Sequence, residues 1–370
     1  MRREFLIKKI TFLLLLVSFI SVAQHHDDTH SAHSTEIPAE NKLTLKEEIK
    51  AFINHHLLDS HDFGLFSYED DHGHEVHVGF PLPVILWDQE AGLTVFSSSK
   101  LHHGASIAEV NGAHYKLFHG KIYKTDASGE IHLDAHHHAT NLKPLDFSIT
   151  KNVFFIFLVG LFMFLVFSKM ANNYKKSAIP KGFGRLLEPI ILYVRDDIAI
   201  PNIGEKKYKK YMSYLLTIFF FIWIVNLLGL TPIGINVTNN IAVTLALSLM
   251  TYVITTFSGN KDYWKHIFWM PGVPTPMKII LAPIELLGTL IKPFSLMIRL
   301  YANITAGHVV LMSIIGLMFI FKNWIGSPLS FGLAFALSLL ELLVAALQAY
   351  IFTMLSALYF GSAVEEHEHH

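Results

Sequence analysis

Residues 283 to 310, PIELLGTLIKPFSLMIRLYANITAGHVV, place the guanidinium of Arg299 inside a largely apolar segment. An Arg at mid-bilayer costs at least about 2.5 to 3.5 kcal/mol on insertion scales, so it requires a partner, a wet cavity or a function. Its charge cannot be relieved by losing a proton. Apolar residues run on for about twenty positions beyond it, farther than a snorkelling side chain reaches. Read as one helix over 283–321, bent at Pro293 where a backbone donor is missing, the segment lines up Arg299, Asn303 and Gly307 on one stripe. Glu285, earlier in the helix, returns to nearly the same face.

Composition places half of the chain in a membrane and half in water. Hydrophobic residues make up 52% and charged residues 16%, the latter low beside the roughly 25% usual in soluble domains. A net charge of -1 carries no nucleic-acid signal. The chain has no cysteine, which excludes disulfides and thiolate metal sites.

At the start, MRREFLIKKITFLLLLVSFISVAQ has Arg2, Arg3, Lys8 and Lys9 ahead of an apolar run and a small-x-small site ending at Ala23. That is the pattern of a signal peptide over 1–23, so the mature N-terminus is expected outside the cytoplasm. Residues 24–147 then form a polar region with 18 of the 23 histidines. Within it, LTLKEEIKAFINHHLLDS reads as an amphipathic helix. VHVGFPLPVILW, LTVFSSS and HYKLFHGKIYKT read as strands of a small β-containing module, by their alternation. Histidines such as His72, His74, His77, His136, His137 and His138 are of a type that binds Zn or Cu, yet their spacing matches no defined metal site. A solvated, pH-responsive surface accounts for them better, and no metal or cofactor is expected.

From residue 148 to 370 the chain reads as an all-α polytopic domain with about five spans. Val153–Phe167 runs inward to a lysine-rich stretch, by the positive-inside rule. GFGRLLEPIILYVRDDIAIPNIG suits the inner interface. Tyr211–Leu230 runs outward and Ile241–Phe257 inward. The proline-dense PGVPTPMKIILAPIE predicts broken or inclined helical pieces before the Arg299 span. Leu329–Phe360 returns to a cytoplasmic C-terminus and, at about 48 Å of helix, must tilt or project from a core of about 30 Å.

The last span carries Glu341 and Gln348 on one face. Antiparallel pairing through a short turn puts Arg299 level with Gln348, and His308 level with Glu341 about 10 to 14 Å nearer the outside. Titratable groups stacked along two membrane helices read as a proton route. Nine residues, at about 100° each, nevertheless put His308 on the opposite helix face from Arg299.

With NLLGLTP (226–232), KPFSLMIRLYANITAGH (292–308) and LLVAALQAYIF (342–352) taken together, the chain resembles subunit a of the F-type ATP synthase over about residues 145 to 362. That subunit is the membrane stator beside a rotating ring of c subunits. The resemblance implies that Arg299 faces the ring carboxylate, with Asn303 and Gln348 beside it. It assigns Glu285, His308 and Glu341 to aqueous access paths, and gives as partners the c-ring, the b-subunit peripheral stalk and the lipid of the cell inner membrane. Some relatives carry a carboxylate in place of His308 and a His in place of Glu341, an exchange that keeps one acid and one imidazole. The coupling ion is set by a carboxylate in the partner, and nucleotide chemistry by other subunits, since no GxxxxGK[ST] loop is present. A stand-alone secondary transporter would show internal repeats, and none is evident.

Overall fold

The computed structural model describes residues 59–69, 75–104, 106–134, 138–175, 182, 184–231, 237–270, 273–320 and 326–365. The expected signal peptide, and most of the amphipathic segment expected before the strands, lie outside them. Two compact units result, one ending at Phe157 and the other beginning at Leu158.

The first unit is built of short antiparallel strands. β1 (Asp62–Glu69) pairs with β2 (Glu75–Pro81), with an irregularity between Gly64 and Phe66. β3 (Pro83–Asp88) lies between β4 (Gly92–Ser97) and β8 (Leu145–Asp146), while β5 (Ala108–Val110), β6 (Ala113–Phe118) and β7 (Lys121–Thr125) form a meander. The meander's two turns, Asn111-Gly112 and His119-Gly120, hold φ > 0 at both positions, the geometry whose twist matches that of hairpin strands. Val84, Leu86, Phe96, Leu101, Tyr115 and Ile122 make the core. Asp88, buried beneath it, accepts hydrogen bonds from Lys124 Nζ at 2.8 Å and from the Tyr115 hydroxyl at 3.2 Å.

The strands expected from alternation are present as β2, β3, β4, β6 and β7. Where the chain turns into its first apolar helix, α1 (Lys151–Tyr174), residues just before β1 cap it. Asp59 accepts from the Asn152 N–H at 3.2 Å and from the Thr150 hydroxyl at 3.0 Å, and Ser60 O accepts from Lys151 N–H. A carboxylate at a helix N-terminus meets both the orphan donors and the positive end of the dipole.

The second unit is helical. α2 (Gly184–Tyr193), a π-helical turn (Val194–Ala199) and α3 (Ile200–Ile203) precede α4 (Tyr208–Gly229), α5 (Ile241–Ser258), α6 (Lys261–Phe268), α7 (Thr275–Ile320) and α8 (Gly326–Val364). Among the described residues, α1, α4, α5, α7 and α8 are long and apolar enough to cross a membrane, with mean hydropathies of 1.6 to 2.4. α8 packs against α4, α5 and α7, and α5 against α7. The proline-rich stretch departs from expectation: from Thr275 onward it is one continuous helix of 46 residues through Pro283 and Pro293. Pro276 sits in the first turn, where its missing donor has no partner to lose. At about 1.5 Å per residue α7 is roughly 69 Å long and α8 roughly 58 Å, so both exceed an upright span.

Candidate functional site

α7 and α8 meet where α7 has no side chain. A Cβ built on Gly307 would stand 2.9 Å from Glu341 Oε1, so the carboxylate lies against the glycine backbone. This contact sets the antiparallel register and puts His308 at the depth of Glu341, as the spacing of the two spans predicts. Lower down, the Lys292 ammonium sits 5.3 Å from the Tyr359 ring centroid, close to the same register.

Around the Gly307–Glu341 contact lies a cavity of about 250 Å³. Its polar lining comes from Asn226 of α4, Asn303 and His308 of α7, and Glu341 and Gln348 of α8. His308, Glu341 and Gln348 are 6%, 7% and 3% exposed. Both carboxylate oxygens of Glu341 are buried and accept no hydrogen bond among the described residues. Asn226 accepts from the Thr238 hydroxyl at 2.9 Å, while its buried Nδ2 has no acceptor among the described residues. The Thr305 hydroxyl donates to Asn239, and Asn240 caps α5 by accepting from Ala242 N–H. This polar turn between α4 and α5 thereby fixes the wall opposite α8.

Arg299 is absent from this lining, and helical rotation says why. Taking Arg299 as zero and about 100° per residue, Asn303, Gly307, Ile304 and His308 span roughly 40° to 180°. The cavity faces the middle of that arc, and Arg299 stands just outside it. Among the described residues, no carboxylate pairs with Arg299 and no side chain hydrogen-bonds to it. The exposed Ile298, Ala302 and Ala306 lie on its other side.

A second, much smaller cleft of about 10 Å³, room for about one water, lies further down α7, lined by Thr251, Tyr252 and Thr255 of α5, Tyr263 of α6, Thr289 and Lys292 of α7, and Tyr359 of α8. Glu285 stands within electrostatic reach of Tyr263 and Lys292. Tyr214 and Thr251 share a hydrogen bond of 2.8 Å, and Thr251 lies 3.4 Å from the Ser356 hydroxyl. The two openings are centred about 20 Å apart along α7 at 1.5 Å per residue, and Arg299 falls between them.

Asn226 and Lys292 entered the sequence reading only as the first residues of the motifs NLLGLTP and KPFSLMIRLYANITAGH, with no role, and Tyr359 did not enter it at all. An amide near the end of the apolar run FFFIWIVNLLGL was the available signal for the first. The site residues read from sequence separate into three positions: Asn303, His308, Glu341 and Gln348 in the upper cavity, Glu285 beside the lower cleft, and Arg299 between. No group of three or more His, Cys, Asp or Glu residues fit to hold a metal occurs among the described residues. His72, His74, His136 and His137 lie outside them, and His138 is paired with Asp134 at 3.6 Å on the surface.

Five apolar helices that hold ionisable and amide side chains around interior cavities define a polytopic membrane protein, the class to which ion-translocating proteins belong. Residues 153–361 match the ATP synthase A chain family. Residues 52–147 match a domain of unknown function, DUF8433. ATP synthase subunit a 2 of Chlorobaculum tepidum is 41% identical over 265 residues, covering 69% of this chain and 73% of the relative. ATP synthase subunit a of Chlorobium phaeobacteroides strain BS1 is 38% identical over 75% of this chain and 91% of its own length. That of Myxococcus xanthus is 42% identical over 61% of this chain and 76% of its own length. The chain belongs to the ATP synthase A chain family, the subunit a family of bacterial ATP synthases.

Proposed function

We propose that this chain is the proton-conducting stator subunit of a rotary F-type ATP synthase, and that the two openings beside α7 are the inner ends of two aqueous half-channels. The observation that carries the reading is their offset: two openings on one side of α7 that expose polar side chains, separated along its length, with Arg299, unpaired among the described residues, between them. About 10 to 15 Å³ of cavity space already holds one water, so the upper cavity, at about 250 Å³, admits several. Such a chain of water, touching His308 and Glu341, delivers a proton to a carboxylate on the rotating c-ring at the level of Asn303 and Gln348. The neutralised ring carboxylate then rotates into lipid. After a near-full turn it returns to the lower cleft, where Glu285, Tyr263 and Lys292 lead toward the cytoplasm.

Arg299 separates the two paths. A fixed positive charge favours the ionised ring carboxylate and opposes protons that would pass straight from one opening to the other. Each elementary charge moved across 100 mV supplies about 2.3 kcal/mol, which the ring passes as rotation to subunits that carry the nucleotide chemistry; the chain described here supplies no catalytic site of its own. Its partners in this reading are the c-ring on the exposed side of α7, the b-subunit peripheral stalk and the other subunits of the complex. Residues 1–23 are a signal peptide, 24–147 an extracytoplasmic module and 148–370 the channel domain in the cell inner membrane, with a cytoplasmic C-terminus.

The test is Arg299→Ala and Arg299→Lys in assembled complexes, read by ATP-driven proton pumping in vesicles. Both variants are expected to abolish pumping, since an ammonium does not reproduce the planar, multiply donating guanidinium. Full pumping in the Lys variant would refute the role given to its geometry.

A further inference from the structure

The central sheet of the N-terminal module is apolar on both faces. Along β3, Val84, Leu86 and Asp88 point into the core, while Ile85 and Trp87 point away from it; along β4, Thr94 and Phe96 point in, and Leu93 and Val95 point out. Strand pairing brings the outward set together, because Trp87 is opposite Leu93 on one side and Leu145 on the other, and Ile85 is opposite Val95. The ladder continues past β8, since Phe147 N–H donates to Ile85 O and Ile149 N–H to Pro83 O. Phe147 therefore joins the same face. Trp87, Leu93, Val95, Leu145 and Phe147 are 49%, 56%, 57%, 57% and 40% exposed. An antiparallel sheet with one solvated face ordinarily turns polar residues outward, and a contiguous apolar patch of this kind marks an interaction surface.

What covers it follows from where the third strand leads. Only Thr150 separates Ile149, the last residue of that ladder, from Lys151, the first residue of α1. The sheet edge therefore runs straight into a helix apolar enough to span a bilayer. The junction is also aromatic: the Phe80 and Phe154 rings are 5.5 Å apart and those of Phe63 and Phe155 5.4 Å apart, at the first turn of α1. These Phe rings extend the apolar surface of α1 into the module, and Trp87 on the sheet face is of the amphipathic type that collects at a membrane interface. Lys143, with Lys121 near enough to act on its charge, precedes Leu145 and suits contact with lipid phosphate, alongside the Asp146 carboxylate.

We propose that the face formed by Ile85, Trp87, Leu93, Val95, Leu145 and Phe147 lies in the headgroup and upper acyl region of the leaflet where α1 enters. The module is then seated on the lipid surface. This rests on α1 spanning the membrane and is independent of the proton path.

The absence of cysteine from the chain allows a direct test. Val95→Cys on the face, and Glu109→Cys on the exposed meander, are each given a nitroxide label in the assembled complex, reconstituted in phospholipid vesicles with the other subunits cysteine-free. Collision rates with oxygen, which concentrates in lipid, are compared with those of a water-soluble nickel chelate. Oxygen is expected to dominate several-fold at position 95 and the chelate at position 109. In the unlabelled complex, brominated phospholipids should quench a fluorescence component that Trp87→Phe removes. Dominance of the chelate at position 95 would overturn the proposal. So would shielding from both reagents there, which would mean that residues 24–58 or another subunit covers the face, and so would a Trp87 component untouched by brominated lipid.

Discussion

Alanine at two glycines of the α7–α8–α3 packing should have opposite consequences. At Gly361 of α8 the added Cβ would lie 1.8 Å from the carbonyl oxygen of Asn202 and 2.9 Å from its carbon. A carbon beside a carbonyl oxygen needs about 3.3 Å, so the two backbones must part by about 1.5 Å. Neither is free to do so. The Asn202 side chain donates to Ile198 O at 2.8 Å and reaches Met354 Sδ at 3.3 Å, Lys207 Nζ donates to Val364 O at 2.7 Å, and the fully buried Phe360 ring stacks on Tyr211 at 4.8 Å. Overpacking costs typically 1 to 3 kcal/mol, and backbone against backbone belongs at the top of that range, about 3 kcal/mol. At Gly307 the nearest atoms the same methyl meets all belong to the Glu341 side chain, Oε1 at 2.9 Å and Cδ and Cγ at 3.5 Å. That carboxylate ends a flexible side chain beside an open cavity and needs to swing by about 0.4 Å. Gly361→Ala should therefore lower the yield and melting temperature of the assembled complex. Gly307→Ala should assemble at the normal yield but pump protons more slowly, because it displaces the one carboxylate in the cavity. Equal melting temperatures for the Gly361→Ala and parent complexes would refute the packing argument, and unchanged pumping in Gly307→Ala would refute the role of the cavity.

Exchanging His308→Glu together with Glu341→His should restore more pumping than either single change leaves, since each single variant puts like groups in one cavity and the pair returns an acid and an imidazole; losses that merely add across the double-mutant cycle would mean that the two act independently. Deleting Gln24 to Asp146 behind an intact signal peptide should preserve proton pumping in complexes that assemble, because every lining residue of both openings follows it; an assembled complex that conducts no protons would show that the module forms part of the entrance. In acid the module should outlast an ordinary carboxylate cluster. Burial pushes Asp88 and Asp146 upward, but hydrogen bonds from Lys124 to the one and from His61 to the other outweigh it and hold both below the usual 3.8. A carboxylate lowered on folding contributes stability that is complete above its unfolded value and lost as pH falls through the folded one, so hydrogen exchange in β3 and β6 should stay slow from pH 7 to about 4, and fast exchange at pH 5 would count against this.

The membrane half was legible because a bilayer imposes a simple rule on composition. Apolar runs gave Tyr211–Leu230 and Ile241–Phe257, and the helices are Tyr208–Gly229 and Ile241–Ser258. Register was legible too, since two antiparallel helices and a short turn leave one way to pair His308 with Glu341. The prolines before Arg299 were misread because their number was weighed and their positions were not. Pro276 falls in a first turn, and Pro283 and Pro293 each remove a single donor from a long helix that otherwise stays intact. In the module, alternation revealed β3 and β4, but β1 carries a glycine at an irregularity and β8 is two residues long, so neither has a readable period. VILW is apolar at both parities, which conceals that one of its faces is exposed.

The sequence also set a conflict: His308 and Arg299 lie on opposite faces of one helix, yet both were expected on a single proton route. They need not share a face if the route has two parts. Asn303 and Gly307 are one and two helical steps along the stripe from Arg299, and each step of four residues advances the stripe by about 40°, so by Gly307 it has turned into the side that His308 also borders. The upper cavity occupies that side, which lets Glu341 approach through the missing side chain of Gly307, while Arg299 remains at the exposed rim. Among the described residues Glu341 accepts no hydrogen bond, so in the proposed route the carboxylate and the His308 imidazole would exchange a proton through water in the cavity. A water-bridged pair depends on the room between two groups more than on which helix carries which. On that reading the double exchange here is expected to work where each half of it fails.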